Sequence, residues 1–135
     1  MSVNWEGLDF TRDELKCKCG CERMELDPQT ILNLQDLRDQ VGPLVISSAY
    51  RCENHENEKA KDRPGTHQAG HAIDIKCSGE RATEVLEAAM AQGCWTGVGI
   101  AQRGTHSARF IHLDNMPVGG KQGYEHIMRP NIWSY

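Results

Sequence analysis

The feature that most constrains this chain is a short segment in which His67 stands seven residues before Asp74. A further histidine, His112, follows downstream. Zinc that takes part in catalysis usually has three protein ligands, histidines and carboxylates, and leaves its fourth position to water. The order histidine, aspartate, histidine therefore predicts one Zn²⁺ ion held by these three side chains.

The residues around Asp74 indicate how this segment folds. Gly70 allows the backbone to bend tightly between His67 and Asp74. Ile73 and Ile75 alternate with Asp74, which is the pattern of a strand with two different faces. Asp74 is therefore expected to point away from its apolar neighbours. Judged by spacing alone, His67 and Asp74 could equally be polar loop residues.

A family resemblance favours the metal site. The pattern Thr66-x-His67-x-x-Gly70-x-Ala72-x-Asp74 resembles the S-x-H-x-x-G-x-A-x-D signature of the zinc D-Ala-D-Ala carboxypeptidases and related phage endolysins. The similarity runs from about Phe10 to the last residue. Three further blocks resemble parts of that family, in the same order: residues 46–51 with Asn57, a strand ending in Tyr-Arg and then an Asn; residues 110–114, the strand with the third ligand; and Trp133 with Tyr135, the aromatic end.

The resemblance implies a zinc peptidase that acts on the stem peptide of bacterial peptidoglycan. It also implies the fold shared by lysostaphin-type peptidases and the hedgehog signalling domain. The bond that is cut stays open among D-Ala-D-Ala, L-Ala-D-Glu and a cross-bridge. The alternative is a phage structural or cell-wall-binding module that keeps the metal and has lost turnover.

Three residues are expected to act beside the metal. Zinc activates water and polarises the scissile carbonyl, so a general base and one cation complete such a site. The resemblance assigns Arg51 to the carbonyl oxygen as it becomes an oxyanion, a role that suits a permanently charged guanidinium. A structural salt bridge is the alternative for Arg51. Thr66 keeps a hydroxyl where the signature has serine, and Thr66 and Tyr50 are expected to contact the substrate.

The general base is the point at which this sequence departs from better-known members of the family. Those members carry Glu, Asp or His two or three residues before the third ligand, where this chain has Phe110 and Arg109. Asp114 would share a strand face with His112 and is the first candidate base. Asp114 would equally suit a carboxylate that orients the His112 imidazole. His106 is the second candidate, provided that its loop folds back over the metal.

The hydrophobic pattern predicts an α+β fold, with a small antiparallel sheet and flanking helices. One helix should begin after the N-cap Asp27 and end at Gly42, because apolar residues recur between them at steps of three and four. The charged loop over residues 52–65, which includes Glu58, is expected to be solvated. The other predicted elements are a helix over residues 79–92 and strands over residues 44–49, 97–101 and 109–113.

Size and charge narrow the class of protein. A chain of 135 residues is expected to form a single zinc peptidase domain over residues 1–135, acting as a monomer. Its net charge of −4 argues against nucleic acid as a partner. No apolar run is long enough for a membrane span, and the first residues lack the features of a signal peptide. We therefore expect a cytoplasmic product, either a phage lysin released later to the wall, a virion-associated enzyme or a cytoplasmic dipeptidase.

Six cysteines form a separate feature: Cys17, Cys19 and Cys21 are crowded together, and Cys52, Cys77 and Cys94 lie apart. An even count suggests disulfides only in an oxidising compartment. The Cys-x-Cys-x-Cys pattern lacks the C-x-x-C spacing that is usual in structural zinc sites. Reduced thiols packed near the Cys52 loop are therefore expected, with a second metal site as the alternative.

Overall fold

The structure is a computed structural model that describes residues 3–135, and its centre is a five-stranded sheet. The strands are β1 Val45–Ser48, β2 Ala72–Lys76, β3 Gly97–Ala101, β4 Phe110–Asp114 and β5 Asn131–Ser134. Their order across the sheet is β1-β2-β4-β3-β5. Together with the helices, this sheet confirms the predicted α+β class.

The helices of the described residues are α1 Arg12–Leu15, α2 Pro28–Val41, α3 Glu56–Lys59 and α4 Gly79–Gln92, with a 3₁₀ turn at His106–Ala108. Helices α2 and α4 contact each other, and α4 contacts β4. Apolar residues of α2 and α4 join Ile73, Ile75 and Ile111 of the sheet in one hydrophobic core. Within residues 3–135, no helix is long and apolar enough to cross a membrane.

Helix α2 forms where its local signals place it. The Asp27 side chain accepts a hydrogen bond from Gln29 N at 3.1 Å, and Pro28 takes the first helical position, where its missing N–H costs nothing. Gly42 ends the helix with a φ of 87°, a conformation that favours glycine. The predicted helix is confirmed.

Helix α4 and strand β3 have the predicted bounds, and β1 and β4 lie within one residue of theirs. Gly93 ends α4 in the left-handed conformation, with a φ of 70°. Ser78 is the N-cap residue of α4, but its side chain makes no capping hydrogen bond.

The sheet departs from the prediction at one edge. β1, β2, β4 and β3 pair antiparallel in turn, whereas β5 pairs parallel with β3. Parallel neighbours need a long connection, and β3 and β5 are joined through residues 102–130, which include β4. Within them, residues 115–130 form the crossover segment that carries the chain from β4 past β3 to β5. The aromatic C-terminal end therefore forms an edge of the sheet, with Trp133 inside β5.

One cross-strand row positions the candidate site. The register places Asp74 of β2, His112 of β4, Gly99 of β3 and Trp133 of β5 opposite one another. Because neighbouring residues of a strand point to opposite faces, this row lies on the face away from Ile73 and the helices. One sheet face thus carries the core and the other carries the polar row.

Candidate metal centre

The three predicted ligands converge at the polar row. The distance from His67 Nε2 to Asp74 Oδ1 is 3.3 Å, and that from His112 Nδ1 to the same oxygen is 2.9 Å. All three side chains are buried, and their donor atoms lie within 4.8 Å of one another. Ligands at about 2.0–2.2 Å from a tetrahedral zinc ion lie roughly 3.4 Å apart, so the spacing fits zinc.

Hydrogen bonds orient both imidazoles toward the shared point. His67 Nδ1 lies 2.7 Å from the carbonyl oxygen of Ala49 and so carries the proton, which leaves Nε2 as the donor atom for a metal. His112 Nε2 lies 2.8 Å from Asp114 Oδ2, which leaves Nδ1 facing Asp74. Metal-binding histidines usually donate their other N–H in this way. The residues present therefore fit a zinc ion.

Charge at the site also suits a cation. Burial lowers the pKa of His67 and favours the neutral imidazole that a metal needs. Burial alone would raise the pKa of Asp74, but His67 and His112 outweigh it and hold that pKa well below its usual range. Burial would lower the pKa of His112, but its bonds to Asp114 and Asp74 dominate and raise it. His112 thus lies between the carboxylates of Asp74 and Asp114, which favour a positive charge there, carried either by a proton or by a metal ion.

Asp114 is fully buried, and both of its oxygens have fixed partners. Arg129 Nε donates to Oδ1 at 2.9 Å and Arg129 Nη2 donates to Oδ2 at 2.7 Å, a two-pronged ion pair. Met116 N lies 3.3 Å from Oδ1. Burial would raise the pKa of Asp114, but Arg129 first and His112 next lower it to about 2. Of its two predicted roles, this geometry matches the carboxylate that orients His112.

Arg129 was missed by the sequence analysis. It lies in the crossover segment, with no regular spacing from Asp114. The usable signal is Gly97, since glycine inside a strand often marks a close approach of other groups. A β-carbon at Gly97 would overlap the Asp114 carboxylate and the Arg129 guanidinium.

Gly99 similarly leaves room for an aromatic side chain. A β-carbon there would overlap the indole of Trp133. The Trp133 ring lies with its centroid 5.2 Å from that of His112, and the Arg129 guanidinium carbon lies 5.1 Å from the indole centroid. The aromatic end expected from the resemblance therefore packs beside the third ligand.

Arg51 lies beside the metal-binding trio. Its Nη2 is 3.6 Å from Asp74 Oδ2, its Nη1 is 3.3 Å from Glu58 Oε2, and its Nε donates to Ser48 Oγ at 2.9 Å. The expectation that Glu58 is solvated is wrong, because its side chain is fully buried. Arg51 and Lys61, whose Nζ lies 2.8 Å from Glu58 Oε2, carry the positive charges that offset the cost of burying the Glu58 carboxylate.

The structure does not bring Tyr50 or His106 to the trio. Tyr50 is only 3% exposed and belongs to the hydrophobic core, with the Arg23 guanidinium 5.8 Å from its ring centroid, so it offers no surface to a substrate. His106 is exposed, and its Nδ1 contacts Ser78 Oγ at 3.3 Å. Its loop lies beyond the Lys76 and Phe110 end of the β2–β4 pair and does not fold back over Asp74.

Thr66 precedes the first ligand and lines an open cleft. The cleft has a volume of about 460 Å³, within the range of sites for small molecules and short peptides. Its basic and polar lining comes from Lys61, Arg63 and Thr66 on one side and from His126, Arg129 and Asn131 on the other. A peptide with free carboxylates would meet positive charge here.

A buried trio of two histidines and one aspartate that could hold a metal ion, with an arginine beside it, is the kind of site that zinc hydrolases use. The sequence model of the family described as Peptidase M15 matches residues 8–114, a span that includes all three candidate ligands. The chain belongs to the Peptidase M15 family. This match confirms the predicted family. Peptidases of the family are zinc-dependent, which together with the candidate metal site supports a zinc peptidase. No curated protein matches the chain.

Proposed function

We propose that this protein is a zinc peptidase that hydrolyses an amide bond in the stem peptide of bacterial peptidoglycan, with residues 1–135 acting as one domain. The observation that carries the proposal is the convergence of His67 Nε2, Asp74 Oδ1 and His112 Nδ1 beside the Arg51 guanidinium. When bound by this trio, zinc supplies a Lewis acid that polarises the scissile carbonyl and activates water.

Arg51 stabilises the developing negative charge on the carbonyl oxygen. Its guanidinium is held by Glu58 and Ser48, so little reorganisation is needed when the substrate binds. Its distance of 3.6 Å from Asp74 Oδ2 leaves donor N–H groups available at the edge of the trio. A salt bridge and a catalytic contact are compatible for this residue, because a guanidinium has five donors.

Asp114 acts as a positioning residue. It holds the proton on His112 Nε2 and thereby directs Nδ1 to the metal position. Arg129 keeps Asp114 ionised, and Trp133 covers His112 on the open side of the sheet. These contacts fix the imidazole in one tautomer and one orientation.

The cleft beside Thr66 binds the peptide. Stem peptides of peptidoglycan carry carboxylates, and Lys61 and Arg63 at the cleft rim provide complementary charge. Thr66 directly precedes His67 and lines this cleft, and its hydroxyl binds a backbone group of the peptide. The resemblance to phage endolysins favours a role in wall degradation during phage release or entry.

A second function has one specific observation in its favour. Within residues 3–135, the carboxylate in contact with the trio that is not itself a ligand is Asp114, and Arg129 occupies both of its oxygens. A chain without a separate general base would also suit a zinc-bearing module that binds the wall without cleaving it. The two functions differ in whether products form.

The test is mass spectrometry of products after the zinc-loaded protein is incubated with purified sacculi. A chelated sample and the His112→Ala variant are the negative controls, and His106→Ala is the matched histidine control. We expect new stem-peptide termini with the wild type and His106→Ala only. Folded, zinc-loaded protein that binds sacculi of several wall types and releases no product would support the binding module instead.

A further inference from the structure

A second cluster of metal-binding side chains lies in the N-terminal part of the chain, apart from the trio. The sulfur atoms of Cys17, Cys19, Cys21 and Cys52 all lie within 4.8 Å of one another. Cys19 Sγ is 3.4 Å and Cys17 Sγ is 3.7 Å from Cys52 Sγ. All four are free thiols. The expected packing of the N-terminal thiols near Cys52 therefore brings four sulfur atoms to one point.

We propose that these four cysteines bind a second, structural zinc ion. Four sulfur atoms at about 2.3 Å from a tetrahedral zinc ion lie roughly 3.8 Å apart, close to the distances observed here. Four protein ligands leave no open position, which distinguishes structural zinc sites from catalytic ones. On binding, each thiol releases its proton to solvent and its thiolate donates an electron pair to Zn²⁺.

The loop conformation explains how Cys-x-Cys-x-Cys can act without the usual spacing. Cys17 N donates to Arg23 O at 2.8 Å and closes the loop over residues 17–23. Within it, Gly20 has a φ of 97° and Glu22 a φ of 64°, so the chain reverses sharply around Cys21. The three alternate cysteines therefore converge.

Backbone N–H groups already support negative charge on two of the sulfur atoms. Cys52 N donates to Cys17 Sγ at 3.3 Å, and Arg23 N donates to Cys21 Sγ at 3.4 Å. Hydrogen bonds of this kind orient metal ligands and stabilise thiolates. Cys19 and Cys21 are exposed, whereas Cys17 and Cys52 are buried, so an ion has a path of entry and a shielded position.

Cys52, the fourth proposed ligand, connects this cluster to the segment that carries Arg51. Cys52 directly follows Arg51, whose N–H donates to His67 O at 3.3 Å. Tyr50 N donates to Leu15 O at 3.2 Å, and Arg23 forms an ion pair with Glu53 at 3.0 Å. A zinc ion here would hold the N-terminal loop against the segment that positions Arg51.

The test is the number of zinc ions per chain in protein purified under reducing conditions. We expect two in the wild type, one in His112→Ala, one in a Cys19→Ser/Cys21→Ser double variant, and two in the control Cys94→Ser, which lies outside the cluster. With cobalt in place of zinc, sulfur-to-metal charge-transfer absorption should persist in His112→Ala and disappear in the double variant. Circular dichroism checks that each variant is folded.

Three results would overturn this second site: equal zinc content in the wild type and the folded double variant, no sulfur-to-cobalt band in the wild type, or disulfides among these cysteines after reducing purification. None of them bears on the trio, because the double variant leaves His67, Asp74 and His112 intact. If His112→Ala lost its zinc while the double variant kept the zinc content of the wild type, the catalytic site would be supported and the cysteine site rejected.

Discussion

Asp114→Asn separates the two roles that the sequence leaves open for this residue. Asparagine keeps the size of the side chain but has one oxygen in place of two. That oxygen can accept a hydrogen bond from His112 or from Arg129. The new NH₂ group, itself a donor, then faces the N–H of the other residue and cannot bond to it. The change therefore weakens the hold on the His112 imidazole without removing a metal ligand.

The expected magnitude follows from this lost contact. Substituting a residue that orients a metal ligand typically costs about 10–100-fold in metal affinity, or about 1.4–2.7 kcal/mol. We expect zinc affinity to fall by that amount. At saturating zinc, the rate per bound ion should stay close to that of the wild type, because the three metal ligands, Arg51 and the lysine and arginine at the cleft rim are unchanged.

The assay is competition for zinc against a chromophoric chelator, paired with peptidase rates at saturating zinc. Asp36→Asn, an exposed change on α2, is the matched control and should alter neither quantity. The reasoning is refuted if Asp114→Asn binds zinc as tightly as the wild type but loses its rate. That result would make Asp114 the general base.

Three further perturbations follow from the same contacts. Arg129→Met should lower the free energy of unfolding in urea by about 3–5 kcal/mol, because Asp114 stays buried without its counter-charge; Arg103→Met, an exposed control, should not, and a loss below about 1 kcal/mol would contradict the ion pair. Gly99→Ala should displace the Trp133 indole, change the near-ultraviolet circular dichroism and lower kcat/KM, whereas Gly119→Ala has open space and should do neither; an unchanged spectrum would refute the packing. Asp114 has a folded pKa of about 2 against about 3.9 when unfolded, so its ionisation stabilises chelator-treated protein above pH 4 by about 2–3 kcal/mol. That contribution should be lost as pH falls from about 4 to about 2, and the same loss in Asp114→Asn would contradict this origin.

Local signals explain why much of the fold was predictable. Asp27, Pro28 and Gly42 mark both ends of α2 by their own backbone and side-chain chemistry, and apolar spacing identifies its buried face. The alternation of Ile73, Asp74 and Ile75 likewise anticipates a strand with a core face and a polar face. Such features depend on neighbours in sequence, so they can be inferred without coordinates.

The ion pairs could not be predicted in this way. Glu58 with Arg51, and Arg129 with Asp114, join residues whose spacing has no regular period, so an exposed and a buried carboxylate look alike in the sequence. Gly97 gives an indirect indication of the second pair, because a glycine inside a strand often makes room for a neighbouring side chain.

The cysteine cluster was hidden for a related reason. Its fourth member, Cys52, lies beside the N-terminal loop where the segment after β1 bonds to the end of α1, through Tyr50 N and Leu15 O. The sequence shows the three crowded thiols but not this tertiary contact. The usual spacing of cysteines in zinc sites consequently argued against a metal site, although the fold does bring the four thiols together.

The most direct test of the account is an anomalous difference map, measured at the zinc absorption edge on crystals of the zinc-loaded protein. We expect a peak about 2.0–2.2 Å from His67 Nε2, an Asp74 oxygen and His112 Nδ1. No peak at these atoms in zinc-saturated crystals, or coordination through His67 Nδ1 or His112 Nε2, would contradict it.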